Sequence, residues 1–392
     1  MAATTVPSPG VATLGRRMAP LTVGHASVDF AQGAIPALLP YLRDEHGLSY
    51  VQVGALVLAM TVSSSLVQPL FGALSDRGGG LWILPAGIIA SALGVGAIAF
   101  APSFWAVFAC VLVSGVGVAA YHPAGARAAR DVARDQPAAG MSIFSVGGNA
   151  GVAAGPLLAG AAAAVFGVNG ILLCAVPGLL GAAYVTRALP ALAREAVAHA
   201  RRAAARPAEQ DRPRAFAMLL SQVMLRGYVY FGLLAFVPLY ETQDRGRSAT
   251  YGAVLLTLML GAGAIATLCT GRIADRIGVN AVMLGATAVV PPATLLYLLD
   301  DGPLGVAGLI VSGAGLIATF TASIVMSQAY MPSRPATAAG LSIGLSMGIG
   351  GVASVGIGAI ADATGLESAL LSCVGVAVVA AGVSAILPPA RR

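Results

Sequence analysis

Apolar runs of roughly twenty residues, separated by short polar punctuation, recur along the whole chain. With charges, Pro and Gly as breaks there are twelve, at about 19–42, 50–74, 81–101, 103–126, 137–166, 168–189, 215–240, 249–273, 280–299, 303–331, 336–362 and 367–388. A helix rising ~1.5 Å per residue needs about twenty residues to cross ~30 Å of hydrocarbon, so each run is a candidate membrane span. The paired runs 137–189 and 336–388 each require a Gly-containing break, near 167 and 365. The longest polar stretch is 187–214, ending in RRAAARPAEQDRPR. It divides the chain into a tail (1–17), a six-helix bundle (18–189), a linker (190–214), a second six-helix bundle (215–388) and a short tail (389–392). The expected fold is therefore an all-α membrane protein with twelve transmembrane helices in two bundles. The linker reads either as a plain tether or as a basic strip on anionic lipid.

Composition agrees with the pattern. Of 392 residues, 57% are hydrophobic and 10% charged, and the mean hydropathy is +0.85. Soluble domains carry roughly 25% charged residues, so a soluble enzyme, a nucleic-acid binder and a disordered regulator are all excluded as first readings. All 22 basic residues other than His are Arg, a usage that fits a GC-rich bacterial genome. With both termini placed inside, eighteen arginines fall inside, Arg43, Arg245 and Arg247 fall outside, and Arg226 lies within a span. Positive-inside bias therefore puts both termini in the cytoplasm of a multi-pass inner-membrane protein. Cys110, Cys174, Cys269 and Cys373 sit in apolar runs without paired spacing, which implies neither a disulfide framework nor a metal site.

The two halves repeat. Gly72-x-x-x-Asp76-Arg77-Gly78 recurs as Gly271-x-x-x-Asp275-Arg276-x-Gly278, at an offset of 199 for Gly, Asp and Arg. The stretch Met141–Ala153 recurs as Leu341–Ala353 at an offset of 200, with Gly148 and Gly151 matched by Gly348 and Gly351. Pro40-Tyr41 and Pro238-Leu239 lie 198 apart. Six spans repeated in the same orientation describe two bundles able to rock about a site between them.

These residues resemble the major facilitator superfamily. The Gly-x-x-x-Asp-Arg loops after spans two and eight are similar to its signature loop, and Gly151-x-x-x-Gly155-Pro156 in span five to its antiporter signature. The resemblance narrows to the fosmidomycin resistance group of drug exporters through His25-x-x-x-Asp29-x-x-Gln32-Gly33, Gln68-Pro69-x-x-Gly72, His122-Pro123, Ser142–Asn149 and Gly155-Pro156-Leu157-Leu158, with Gly340-Leu341 and Gly348-x-Gly350-Gly351 in the second half. It implies that Asp76, Arg77, Asp275 and Arg276 act as a state-dependent latch between bundles; they also read as ordinary topology charges. The loops depart from the superfamily pattern where Gly79, Gly80, Val279 and Asn280 replace further basic residues.

Among the sixteen acidic residues, Asp29 alone is deep in a predicted span. A carboxylate there costs at least ~2.5–3.5 kcal/mol on insertion scales, so it faces a wet cavity or a partner. His25, Asp29, Gln32 and Pro36 fall at i, i+4, i+7 and i+11, on one helix stripe. Burial disfavours a charged carboxylate and a protonated His beside it favours one, so Asp29 with His25 reads as a proton-coupling pair. It reads alternatively as a hydrogen-bond lock that never changes charge. His122 precedes Pro123, where a helix break would free carbonyls for its ring; the resemblance instead makes it a cavity-facing group. Arg226, at the Asp29 level of the other repeat, can clamp an anionic substrate, pair with Asp29 in an empty site, or snorkel. Gln32, Asn149, Tyr228, Tyr230 and Gln328 complete the candidate substrate-binding set, and Gly147, Gly148, Gly151, Gly155 and Pro156 form a smooth helix-packing face.

No Walker loop, zinc-ligand run, nucleophile elbow or dinucleotide fingerprint occurs, so no cofactor and no enzymatic activity are expected. The leading expectation is a monomeric, proton-coupled antiporter that exports a small drug-like or anionic organic molecule, with the proton gradient as energy source. An importer or facilitator of an organic anion and a non-transporting receptor or scaffold are the alternatives.

Overall fold

The computed structural model describes residues 11–76, 80–133, 137–200, 210–333 and 335–390, and in these it is helical throughout, without a strand. The first half comprises α1 (Val11–His46), α2 (Tyr50–Ser65), α3 (Gln68–Asp76), α4 (Ile83–Ala97), α5 (Phe104–Ala133), α6 (Pro137–Phe166) and α7 (Ala175–Ala200). The second comprises α8 (Pro213–Gln243), α9 (Ala249–Ile277), α10 (Val279–Ala288), α11 (Val290–Leu299), α12 (Pro303–Tyr330), α13 (Pro335–Thr364) and α14 (Leu366–Ala385). Two crossings are interrupted, α2 with α3 and α10 with α11. The remaining helices make one crossing each, giving twelve.

Ten helical stretches among the described residues are long and apolar enough to cross a membrane, and one of them, Ile143–Glu195, joins α6 to α7. α1 is not among them; its polar stripe of His25, Asp29 and Gln32 interrupts the apolar run. The expected breaks occur at Gly167 (φ +61°) and Gly365 (φ +93°), a left-handed geometry that only glycine adopts without strain. α1 begins at Val11, inside the stretch expected as a tail, and α7 runs on to residue 200, inside the stretch expected as linker.

Twelve crossings bring both chain ends to one face, here called the tail end. Arg17 pairs with Glu195 at 2.8 Å there, tying the start of α1 to the end of α7. Arg212 donates to the Pro389 carbonyl and ties the start of α8 to the chain beyond α14.

The core forks. At the opposite, far end a single apolar cluster runs through both halves, from Ile35, Leu39, Leu56 and Val107 to Phe236, Leu256, Leu309 and Leu370. At the tail end it divides into one cluster confined to the first bundle (Met18, Leu21, Ile88, Tyr121, Phe144) and one confined to the second (Leu219, Met283, Met326, Tyr330). Leu66 and Leu70 are 69% and 70% exposed, and a Cβ on Gly340, Gly344 or Gly348 would meet nothing within 4 Å. The bundles are thus sealed at the far end and splayed at the tail end.

Candidate functional site

Span five is held against span one by glycine. Gly147, Gly151 and Gly155 repeat every four residues on one face of α6. A Cβ on each would strike α1 backbone: the Thr22 carbonyl, the Ala26 carbonyl, and the Ala34 nitrogen with the Phe30 carbonyl. From α1, Gly33 answers by approaching the Val152 carbonyl. Without side chains in the seam the two backbones touch, which in lipid is the main source of helix attraction. Gly148 lies one residue off that seam. Its Cβ would sit 2.6 Å from His25 Cε1 and 2.7 Å from an Asp29 carboxylate oxygen, so the close approach delivers α6 directly onto the polar stripe.

Three helices meet there. Asp29 is 8% exposed, and both carboxylate oxygens are occupied: Oδ2 by His25 Nε2 at 3.2 Å and Oδ1 by His122 Nε2 of α5 at 2.9 Å. His25 Nδ1 is 2.8 Å from the Phe144 carbonyl of α6, and its ring stacks on that of Phe144 at 4.0 Å between centroids. The two imidazoles stand nearly perpendicular, 5.2 Å apart. Tyr121, beside His122 on α5, donates to the Leu21 carbonyl at 2.7 Å and pins α5 to α1.

This geometry locates a proton. A carbonyl oxygen only accepts, so His25 Nδ1 carries hydrogen. The neutral ring then has a bare Nε2, which would face a bare carboxylate oxygen. The 3.2 Å contact becomes attractive when one proton lies on it, as imidazolium with carboxylate or as imidazole with carboxylic acid. His122 satisfies its own contact as the neutral Nε2–H tautomer. Asp29, with His25 on one oxygen and His122 on the other, thus forms a three-membered hydrogen-bonded cluster between α1 and α5. The three side chains present ligand atoms within 4.8 Å of one another, close enough for one small cation to touch all three. The 2.9 and 3.2 Å separations are hydrogen-bond distances.

Two expectations need correction. α5 runs on through Pro123, and the His122 ring turns to Asp29 and not to the backbone of its own helix. Arg226 does not pair with Asp29. It is 3% exposed and donates to Ser323 on α12 at 3.2 Å and to Ser346 on α13 at 2.9 Å, with its guanidinium 4.2 Å above the Phe320 ring. Each charged centre is satisfied inside its own bundle, because two imidazoles saturate the carboxylate and two hydroxyls and a ring hold the guanidinium. No carboxylate neutralises Arg226 among the described contacts. Gln222, one turn away on α8, and Ser342, one turn from Ser346, each bury a polar atom without a partner.

The remaining candidates divide. Tyr230 is partly buried and lies within electrostatic reach of both Asp29 and Arg226. Tyr228 hydrogen-bonds Ser372 of α14 at 2.9 Å, on another side of α8. Gln32 has a buried amide nitrogen without a partner, Asn149 is partly exposed on α6, and Gln328 is exposed near the tail end of α12. Arg77 lies outside the described residues. Asp76 and Asp275 close α3 and the last turn of α9 in backbone only, and Arg276 is exposed.

One buried acid escaped the sequence reading. Glu241 is 0% exposed and takes Arg245 at 3.0 Å, Arg247 at 3.3 Å and the Tyr297 hydroxyl at 2.6 Å. It lies one residue beyond the expected end of span seven, where acids look like loop charges. The spacing Glu241-x-x-x-Arg245, i to i+4 at the end of an apolar run, was the available signal.

Among known proteins, the chain is 29% identical over 359 residues to the fosmidomycin resistance protein of Escherichia coli, covering 90% of this chain and 88% of that one. It is 28% identical over 355 residues to the uncharacterized MFS-type transporter YfnC of Bacillus subtilis, covering 89% and 87%. In structure it is similar to a bacterial homolog of the human lysosomal transporter Spinster in an inward-facing and occupied conformation, with a TM-score of 0.79, 15% identity and 97% of both chains covered. The Major Facilitator Superfamily profile matches residues 21–353, and the chain accordingly belongs to that superfamily of membrane transporters.

Proposed function

We propose that the protein is a proton-coupled antiporter of a bacterial inner membrane, exporting a small drug-like or anionic organic molecule by alternating access. The single observation that carries the proposal is the His25–Asp29–His122 triad, a buried carboxylate held by two imidazoles within a span, in a molecule whose bundles part into a cleft at the tail end. Arginine distribution supports a cytoplasmic tail end, so this cleft would admit substrate from inside. Arg226, a buried cation with no carboxylate partner among its described contacts, supports an anionic group on the substrate. The relative in Escherichia coli is named for fosmidomycin resistance, which supports export over import.

In this reading the proton enters from outside when the cleft faces outward and settles between Asp29 and His25. Rocking exposes the triad inward, where the proton leaves. One proton crossing ~100 mV releases ~2.3 kcal/mol. Substrate binding near Arg226 and proton loss from the triad favour the return stroke.

The test is drug susceptibility of a sensitive strain expressing wild type or Asp29→Asn, joined to flux in proteoliposomes. The proposal expects Asp29→Asn to abolish protection and flux to cease without a pH gradient. Normal protection by Asp29→Asn removes the proton role. Binding without flux would make the protein a receptor, and flux indifferent to pH a facilitator.

A further inference from the structure

The far-end seal contains a carboxylate that belongs to neither the triad nor the Arg226 site. Asp362, near the end of α13, accepts the backbone N–H of Tyr50 at 2.9 Å through Oδ1 and that of Val51 at 3.0 Å through Oδ2. These are the first two residues of α2, in the other bundle. A helix start leaves its first N–H groups without partners inside the helix. Ser49 and Gln52 satisfy part of this set through a capping box, since the Ser49 hydroxyl accepts from Gln52 N. The N–H groups of Tyr50 and Val51 are left over, and both are met from across the bundle interface. The carboxylate also sits on the positive end of the α2 dipole, which makes the bond charge-assisted.

Backbone contact continues below it. A Cβ on Gly358 would strike the Tyr50 carbonyl, one on Gly54 the Ser354 carbonyl, and one on Gly351 the Thr61 hydroxyl. The far end cannot open without separating α2 from α13, and that separation must break both Asp362 bonds. The arrangement is one-sided. At the repeat offset of 200, Asp362 corresponds to Ala162, so although α2 and its counterpart α9 both begin on a serine cap, the acid stands in one half only. Duplication of the fold therefore does not account for this acid. Two further far-end links, Arg43 to the Gln243 amide oxygen at 3.2 Å and the Gln243 amide nitrogen to Asp44 at 3.4 Å, are exposed like the Asp362 bonds but longer, and they run between side chains and not onto a helix start.

We infer that Asp362 is a positioning residue of the transport cycle: seated on the N-terminus of α2, its carboxylate holds the far end closed and sets the ratio of the two facing states. The inference uses the alternating-access part of the proposed function and is independent of which ion or substrate moves.

The experiment places a reporter in the seal. Thr61, 2% exposed and facing Gly351, is replaced (Thr61→Cys) in a background lacking the four native cysteines. A membrane-impermeant maleimide is applied to intact cells from the outside, with no substrate added. Asp362→Ala is expected to raise the labelling rate about tenfold, the weight of one charge-assisted hydrogen bond. Tyr50→Pro gives the complementary cut from α2. Proline is accepted at the first helical position, and Ser49 (φ −70°, ψ 161°) already has the extended backbone that precedes it. Tyr50→Ala removes the ring alone and serves as its reference. Faster labelling in Tyr50→Pro than in Tyr50→Ala supports the latch even if Asp362→Ala does not fold. Wild-type labelling in a folded Asp362→Ala protein, or equal labelling of the two Tyr50 variants, overturns it. Because neither readout needs a proton gradient, a normal Asp29→Asn exporter would remove the proton site and leave the latch standing.

Discussion

His122 Nε2 lies 2.9 Å from Asp29 Oδ1, joining two residues 93 positions apart on different helices. His25, on the other oxygen, is fixed in tautomer by the Phe144 carbonyl. His122→Gln keeps a donor toward Asp29 and cannot take a charge. Gradient-driven transport is expected to fall about tenfold or more, with substrate binding retained. Equal losses of binding and transport, measured by equilibrium binding and proteoliposome flux, would count against the relay.

Gly148 and Gly151 differ by less than a turn and are expected to fail differently. A side chain at Gly151 meets the Ala26 carbonyl, a backbone atom that moves only with the whole of α1. Gly151→Leu is expected to cost about 1–3 kcal/mol through overpacking and to lower the unfolding temperature of the purified protein. At Gly148 the obstacles are the ends of the His25 and Asp29 side chains. Gly148→Ala should leave unfolding nearly unchanged and shift the pH profile of transport. A reversed pattern would mean that the seam and the proton site are not separable.

What the sequence made legible follows from what lipid forbids. Asp29 and His25 stood out because an apolar run tolerates almost no charge, and Arg226 for the same reason. The glycine breaks at 167 and 365 were required by run length. The pairing of His122 with Asp29 was not legible, since it depends on the rotation of α5 against α1, and sequence spacing carries no rotation between helices. The partners of Arg226 were hidden for another reason: serines occur throughout the spans, and nothing in the run of residues marks Ser323 and Ser346 as the two that converge. The pairing of Arg226 with Asp29 in an empty site, one of three readings of that arginine, placed both residues at one depth and overlooked that each bundle could satisfy its own charge.

Arg226 tests the anion reading most directly. Lysine retains the charge and loses the forked donors that hold Ser323 and Ser346 together. If the substrate carries an anionic group, Arg226→Ala is expected to weaken its export at least tenfold, the equivalent of about 1.4 kcal/mol. Neutral compounds should be affected far less, with Arg226→Lys intermediate. Paired susceptibility profiles for anionic and neutral drugs decide the point. Equal loss for both classes would reduce Arg226 to a clamp between α8, α12 and α13.

Glu241 makes the opposite prediction, for stability without selectivity. Its carboxylate is 0% exposed and neutralises Arg245, whose side chain is only 7% exposed and which also donates to the Tyr297 carbonyl at 2.7 Å. Removing the acid leaves Arg245 its second carboxylate, Asp301 at 2.7 Å, but takes the buried acceptor from the Tyr297 hydroxyl, and an unsatisfied buried donor costs about 1–3 kcal/mol. Glu241→Ala should therefore unfold at a markedly lower temperature than wild type. Glu241→Gln keeps an acceptor for the Tyr297 hydroxyl and should lie between them. Because the cluster is confined to α8, the loop after it, α11 and Asp301, the substrate profile of whatever protein remains folded should be unchanged. A folded, heat-stable Glu241→Ala protein with altered substrate preference would move this cluster from the scaffold to the transport path.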